Sequence, residues 1–486
     1  FQNTRTDRNG NQVISPRNTY YSWGRPYDYT TQLYNYNGAI RTHAPIDHNQ
    51  WNDVFQTGIN QTYNLAITNG TEKGNLRFSY TYMDNTPTQL NSHNNKHNFA
   101  LSGSANILKN LKVDYSANYM RQHVKNRAYR ISRLLTNYAG MFTGYDDIAA
   151  MKNSTVTSLG YMNVPYTSNT LTPDEAWDWN PANYQMSSEY FWNILGKEQL
   201  EDNNRFIASV TPSWEIIPGL TARGRLSTDL TYNVIENKNS TETPNVFRQP
   251  GNYTGAYTLK NSKYEIYYGD IMLMFDRTFA EKHKVGVTLL QTASAWNIEE
   301  SSMAANKIAK PSYLWNAFGT IDLTNTDHKA SMGSGITERQ LTSYMVRLNY
   351  GFNERYLLTV SGRWDGASQL AEGHKWDFFP SAALAWRINQ EDFMKDINWI
   401  DNLKVRFGFG TTGNSAVEPY ATKGDITSVY LPFNGMGNQL GYTTNEPYYM
   451  KDQLTMANPL LGWEKTTQYN IGVDFGFLNN RIGGSI

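Results

Sequence analysis

The chain has no cysteine among its 486 residues, which excludes a disulfide frame and a thiolate metal site. Its formal net charge is zero, with 43 basic and 43 acidic residues, so it lacks the basic excess that nucleic-acid binding needs. Hydrophobic residues make up only 39%, and mean hydropathy is −0.61. No run approaches the roughly 18 apolar residues of a membrane helix. That excludes a helical membrane protein but not a strand-built one, whose hydropathy signal is far weaker. No nucleophile sits beside a base, no carboxylates pair up, and no phosphate loop occurs. We therefore expect no enzyme and no cofactor. His93 and His97 lie four apart with no third ligand nearby, so no metal site is expected there.

Aromatic rings are abundant, at 14% of the chain, with 34 Tyr and 13 Trp. Amphipathic rings suit the two interfaces of a membrane. The rings recur in strictly alternating segments. Thr467, Tyr469, Ile471, Val473, Phe475 and Phe477 share one parity; Gln468, Asn470, Gly472, Asp474 and Gly476 share the other. Strand side chains have a period of two, so such a segment has one apolar face and one polar face. From Leu220 to Asn233 the pattern repeats.

This reading predicts strands near 59–69, 75–84, 96–107, 111–123, 204–215, 220–235, 262–277, 284–295, 340–353, 355–365, 376–388, 402–412 and 466–477, with another beginning near 482. The links between them alternate short and long. Long ones cover about 124–203, 236–261, 296–339 and 413–465. Outer-membrane barrels have short periplasmic turns and longer extracellular loops. Asn389–Asp401 is long for a turn and is read as containing a helical turn at Asp392–Lys395. The expected fold is all-β: a transmembrane antiparallel β-barrel in the bacterial outer membrane, about 14 strands of it visible. Parity places 1–58 outside the cell, leading into a partial barrel over 59–486. The chain starts at Phe1, and its last residues begin a strand that stops within a few positions, so a longer parent chain is expected.

Several segments resemble the SusC/RagA family of TonB-dependent outer-membrane receptors from Bacteroidetes. The clearest runs Asn458-Pro459-Leu460-Leu461-Gly462-Trp463-Glu464-Lys465-Thr466-Thr467-Gln468 and on through Asn470-Ile471-Gly472-Val473-Asp474-Phe475-Gly476. Others are Arg363-Trp364-Asp365-Gly366-Ala367-Ser368, Phe379-Pro380-Ser381-Ala382 with Trp386-Arg387-Ile388, and Gly410-Thr411-Thr412-Gly413-Asn414. Ala367 stands where the family favours Ser, and Leu370 where it favours an aromatic. The resemblance implies a 22-stranded barrel filled by a plug, the size class of plugged outer-membrane transporters. It also implies uptake of glycan or peptide oligomers, a SusD-like surface lipoprotein as lid, coupling to TonB, and dimers of such complexes. The family's plug and TonB box are not in this sequence. Two other readings stay open: a siderophore or cobalamin receptor without a lid, and a passive porin or surface adhesin.

Two groups of residues are candidates for contact. Charges on the polar parity, Arg223, Arg225, Asp229, Arg363, Asp365 and Arg406, are expected to face the lumen, with Lys112, Asp114, Arg347, Lys404 and Asp474. They would touch substrate or plug, or simply pair with one another on a wet wall. The long loops carry Trp177, Trp179, Tyr184, Tyr190, Trp192, Trp315 and Tyr430. Rings beside Asp and Asn suit a sugar, a peptide or a protein lid. The alternative is that a long loop needs its own small core.

Overall fold

The computed structural model describes residues 3–6, 12–15, 26–34, 40–127, 144–155, 190–239, 255–308, 330–423, 425–430, 449–455, 457–479 and 481–486. Two small ribbons come first: β1 (Asn3–Thr6) with β2 (Gln12–Ser15), and β3 (Gln32–Tyr34) with β4 (Ile40–Thr42). A short helix α1 (Trp51–Val54) follows. Then the alternating segments form strands: β5 (Ile59–Thr71), β6 (Gly74–Thr86), β7 (His93–Leu108), β8 (Leu111–Lys125), β9 (Lys197–Ile217), β10 (Leu220–Asn239), β11 (Gly255–Phe279), β12 (His283–Ile308), β13 (Ser331–Phe352), β14 (Tyr356–Ala367), β15 (Trp376–Arg387) and β16 (Ile400–Asn414). A ribbon of β17 (Asp425–Tyr430) and β18 (Tyr449–Thr455) interrupts them, and β19 (Glu464–Phe477) and β20 (Ile482–Ser485) complete the sheet. A helix α2 (Ile148–Asn153) lies between β8 and β9.

Fourteen strands, β5 to β16 with β19 and β20, pair antiparallel in a simple meander in chain order. This is the all-β sheet that the alternation predicts. Register keeps each face intact from strand to strand, because directly opposed residues point the same way. One row runs Leu65, Tyr80, Phe99, Tyr119, Phe206 and Leu230 across β5 to β10. On the opposite face a row of Ser102, Ser116, Ser209 and Ser227 crosses β7 to β10. Apolar side chains on the first face stay open to the surroundings; Leu226 is 67% exposed and Ile271 66%. That face suits hydrocarbon, not water. No helix among the described residues is long and apolar enough to cross a membrane.

The links at one end are short. Pro218 and Gly219 turn β9 into β10, with Gly219 at φ 89°, where a Cβ is disfavoured. Ala280–Glu281, Asn353–Glu354 and Leu478–Asn479 each place two successive residues at positive φ. Paired positive φ matches the twist of adjoining strands. The segment 388–399 forms two 3-10 turns, Ile388–Gln390 and Asp392–Met394, where the sequence predicts one helical turn at 392–395.

Strands at the other end run further than the alternation marks. β11 and β12 have 25 and 26 residues, whereas β14 and β15 have 12 each. About 9–11 residues suffice to cross a membrane. One flank of the sheet therefore rises well beyond the apolar band. The links beyond it narrow to 126–196, 240–254 and 309–330.

Candidate functional site

Two features could carry function: the polar wall of the sheet and a ledge of loops above it. Register places Arg223, Arg225 and Asp229 of β10, Arg363 and Asp365 of β14, and Arg406 of β16 on one continuous face, opposite that of Leu226 and Ile271. Lys112, Asp114, Arg347, Lys404 and Asp474 lie on the same face.

Most of these charges meet a partner. Arg225 reaches Asp270 on β11 at 2.7 Å, and its guanidinium lies 4.8 Å over the Tyr268 ring. Asp229 accepts a two-pronged bond from Arg205 of β9, at 2.8 and 2.5 Å. Arg363 donates to Asp365 at 2.6 Å and to the Ser343 hydroxyl at 3.0 Å. Lys404 and Arg406 share Asp474 at 2.7 and 3.3 Å. Lys112 pairs with Asp114 at 2.8 Å. Charges of opposite sign thus pair along and across neighbouring strands of the wall, and most are neutralised locally. The sequence reading did not single out Arg205 or Asp270. Parity alone would have found both, since each alternates with apolar neighbours, Phe206 and Ile271.

Several polar atoms on that wall are buried without a hydrogen-bond partner: Asn203 Oδ1, Asn233 Oδ1, Asp270 Oδ1 and Arg223 Nε. Asn203 and Asn233 stand directly opposite each other.

At the long-loop end, α1, α2 and the helical stretch 190–195 pack into one cluster of Val54, Ile148, Met151, Tyr190, Phe191 and Ile194. The side chain of Asp147 caps α2 by accepting from the Ala150 amide at 2.9 Å. Gln50 accepts from the Ile148 amide at 3.0 Å, and Asn91 donates to the Ile194 carbonyl at 2.9 Å. The last bond ties the ledge to the loop between β6 and β7. Tyr190 and Trp192, two of the aromatic candidates, are buried here at 4% and 5% exposure. Burial pushes the Tyr190 phenol up to about 12. Gly196 follows under Trp192; a Cβ there would lie 2.0 Å from the indole. Trp177, Trp179, Tyr184 and Trp315 lie outside the described residues, as does the side chain of Tyr430.

A second pocket of burial closes the top of β14 and β15. Ala367, Leu370, Ala371 and Phe379 pack there, and the Trp463 indole donates to the Lys375 carbonyl at 2.8 Å. The small Ala367, 1% exposed, and the aliphatic Leu370, 2% exposed, are both interior there.

An antiparallel sheet of long strands, apolar on one face and charged on the other, with short turns at one end only, is the wall of an outer-membrane β-barrel. Residues 145–486 match the family described as TonB dependent receptor-like, beta-barrel, and the chain belongs to that family. It is 43% identical over 151 residues to the TonB-dependent receptor SusC of Bacteroides thetaiotaomicron, covering 31% of this chain and 14% of that protein. A TonB-dependent receptor of Formosa agariphila is 26% identical over 439 residues, 89% of this chain and 37% of the relative. A solved structure of the RagAB peptide transporter superposes with a TM-score of 0.66 at 18% identity, covering 94% of this chain and 46% of that one. The chain thus spans less than half the length of the relatives it matches.

Proposed function

We propose that this chain forms part of the barrel of a TonB-dependent nutrient importer that takes up glycan or peptide oligomers. The observation that carries this reading is the 43% identity to SusC, joined to a match over 89% of the chain with a second TonB-dependent receptor. The likeness to SusC implies a surface lipoprotein as lid, and the tall flank of β9 to β13, with the loop ledge beside it, would be a suitable seat for one. Residues 1–58 and the long links would lie outside the cell, the short turns in the periplasm. A plug would dock against the polar wall of the sheet. Arg363, Asp365, Arg406 and the other wall charges would then line the lumen. TonB would supply the coupling to the inner membrane, and two transporter–lipoprotein units would pair.

The mechanism involves no covalent step. Substrate binds between loops and lid, the lid closes, and energy from the inner membrane displaces the plug. Deletion of the gene, followed by growth on defined glycan and peptide oligomers, tests this. Growth should fail on one oligomer class and persist on its monomers. Unchanged growth on every oligomer would argue for the porin or adhesin reading.

A further inference from the structure

We propose that the outer rim of β7 to β9 holds the phosphate of a lipid in the surrounding outer leaflet, between His97, Arg121 and Asn204. These three side chains lie in one row: His97 is directly opposite Arg121, and Arg121 directly opposite Asn204. The row is on the lipid-side face, one step above Phe99, Tyr119 and Phe206. Below it the face is apolar through Leu101, Gly103 and Ala105 on β7, and through Ala117, Tyr115 and Val113 on β8. From Ala105 to His97 is eight residues, roughly 26 Å along a strand, or about 20 Å once barrel tilt is allowed for. The row therefore sits where the hydrocarbon ends and headgroups begin, directly above a belt of rings.

Its chemistry is that of a donor. The Tyr80 hydroxyl bonds His97 Nδ1 at 2.8 Å; with that hydroxyl donating, the proton sits on Nε2. The Tyr119 hydroxyl donates to Asn204 Oδ1 at 3.0 Å, which leaves the Asn204 amide NH2 as the open end. Both tyrosines thus occupy acceptors and leave donors. Arg121 is exposed and has no ion-pair partner among the described residues. The carboxylates in the rows above it on the same face have partners of their own: Asp202 with His123 at 3.0 Å, Asp84 with the Tyr82 hydroxyl at 2.9 Å, and Glu198 with Lys238 at 3.2 Å. A guanidinium flanked by two neutral N–H donors is a fit for a phosphate, which accepts in several directions at once. Because the row faces lipid and not the lumen, the phosphate is that of a membrane lipid and not of a transported solute.

The test uses the full-length protein in nanodiscs carrying phosphorylated lipid A, or the same lipid A after enzymatic dephosphorylation. Lipid retained on the protein after detergent transfer is counted by native mass spectrometry. Retention of the phosphorylated lipid should fall about tenfold or more in Arg121→Gln, less in Arg121→Lys, and further in the triple variant with His97→Leu and Asn204→Leu. Lys282→Gln, in the turn between β11 and β12 at the opposite end, should leave retention unchanged, and heat-modifiable migration checks that each variant is folded. Equal retention in wild type and Arg121→Gln, or equal retention of the dephosphorylated lipid, would overturn the proposal.

Discussion

Arg225 and Asp270 stand directly opposite each other on β10 and β11, their charged groups 2.7 Å apart, yet they are exposed very differently. The carboxylate side chain is 1% exposed and the arginine 40%. Removal of either partner therefore does not cost the same. Arg225→Ala strands a buried carboxylate and should destabilise by about 3 kcal/mol. Asp270→Ala leaves a guanidinium that water can solvate, at a cost of about 1 kcal/mol. Urea unfolding midpoints of both variants in lipid vesicles check this order. Equal losses would show that the pair is solvated as a unit.

The two faces of the sheet should respond oppositely to charge. Ile271→Arg places a cation on the apolar face and should cost about 2–4 kcal/mol. Ser227→Arg, on the polar face, should cost less than about 1 kcal/mol. The same refolding assay reads both.

The ledge should unfold by itself. Phe191 is fully buried in the cluster with Val54, Ile148 and Met151. Phe191→Ala should remove about 3–5 kcal/mol from that unit. Limited proteolysis should then cut within 124–203 while the barrel keeps its heat-modifiable migration. Loss of the folded barrel instead would show that the ledge and sheet fold as one.

Acid should loosen the short-turn end. The Tyr356 hydroxyl, the Trp386 indole and the Arg355 guanidinium hold the Glu391 carboxyl below the usual carboxylate range. Lys395 and Arg355 do the same for Asp392. Arg355 lies 3.1 Å from Glu391 and 3.0 Å from Asp392. A depressed folded pKa gives stability that is present above the unfolded value and lost as pH falls through the folded one. Stability should hold above about pH 5 and decline below about pH 4. Glu391→Gln should flatten that decline in a pH series of unfolding midpoints.

Strand positions and faces were legible because alternation survives wherever one face meets lipid and the other water. It stops where both faces are wet. Glu299, Glu300, Ser301 and Ser302 carry no alternation, yet β12 continues through them to Ile308 because its ladder with β11 persists. The same loss of contrast hid the upper parts of β9, β11 and β13. Turn chemistry was only partly readable: Pro218–Gly219 announces itself, but Ala280–Glu281 and Leu478 adopt positive φ without Asn or Gly. In the candidate site, parity gave the charged wall but not its pairing, since Arg205 meets Asp229, and Asp270 meets Arg225, only through register. Tyr190 and Trp192 look like binding rings in a loop; their burial depends on α1 and α2, brought in from about 40 to 140 positions away in sequence.

The central claim is that this wall belongs to a lidded, energised importer. Gentle purification of the full-length protein from outer membranes, followed by native mass spectrometry, tests it most directly. The account predicts a co-purifying lipoprotein and an endogenous oligomer whose mass ladder identifies it as glycan or peptide. A lone barrel, free of lipoprotein in several mild detergents, would contradict it.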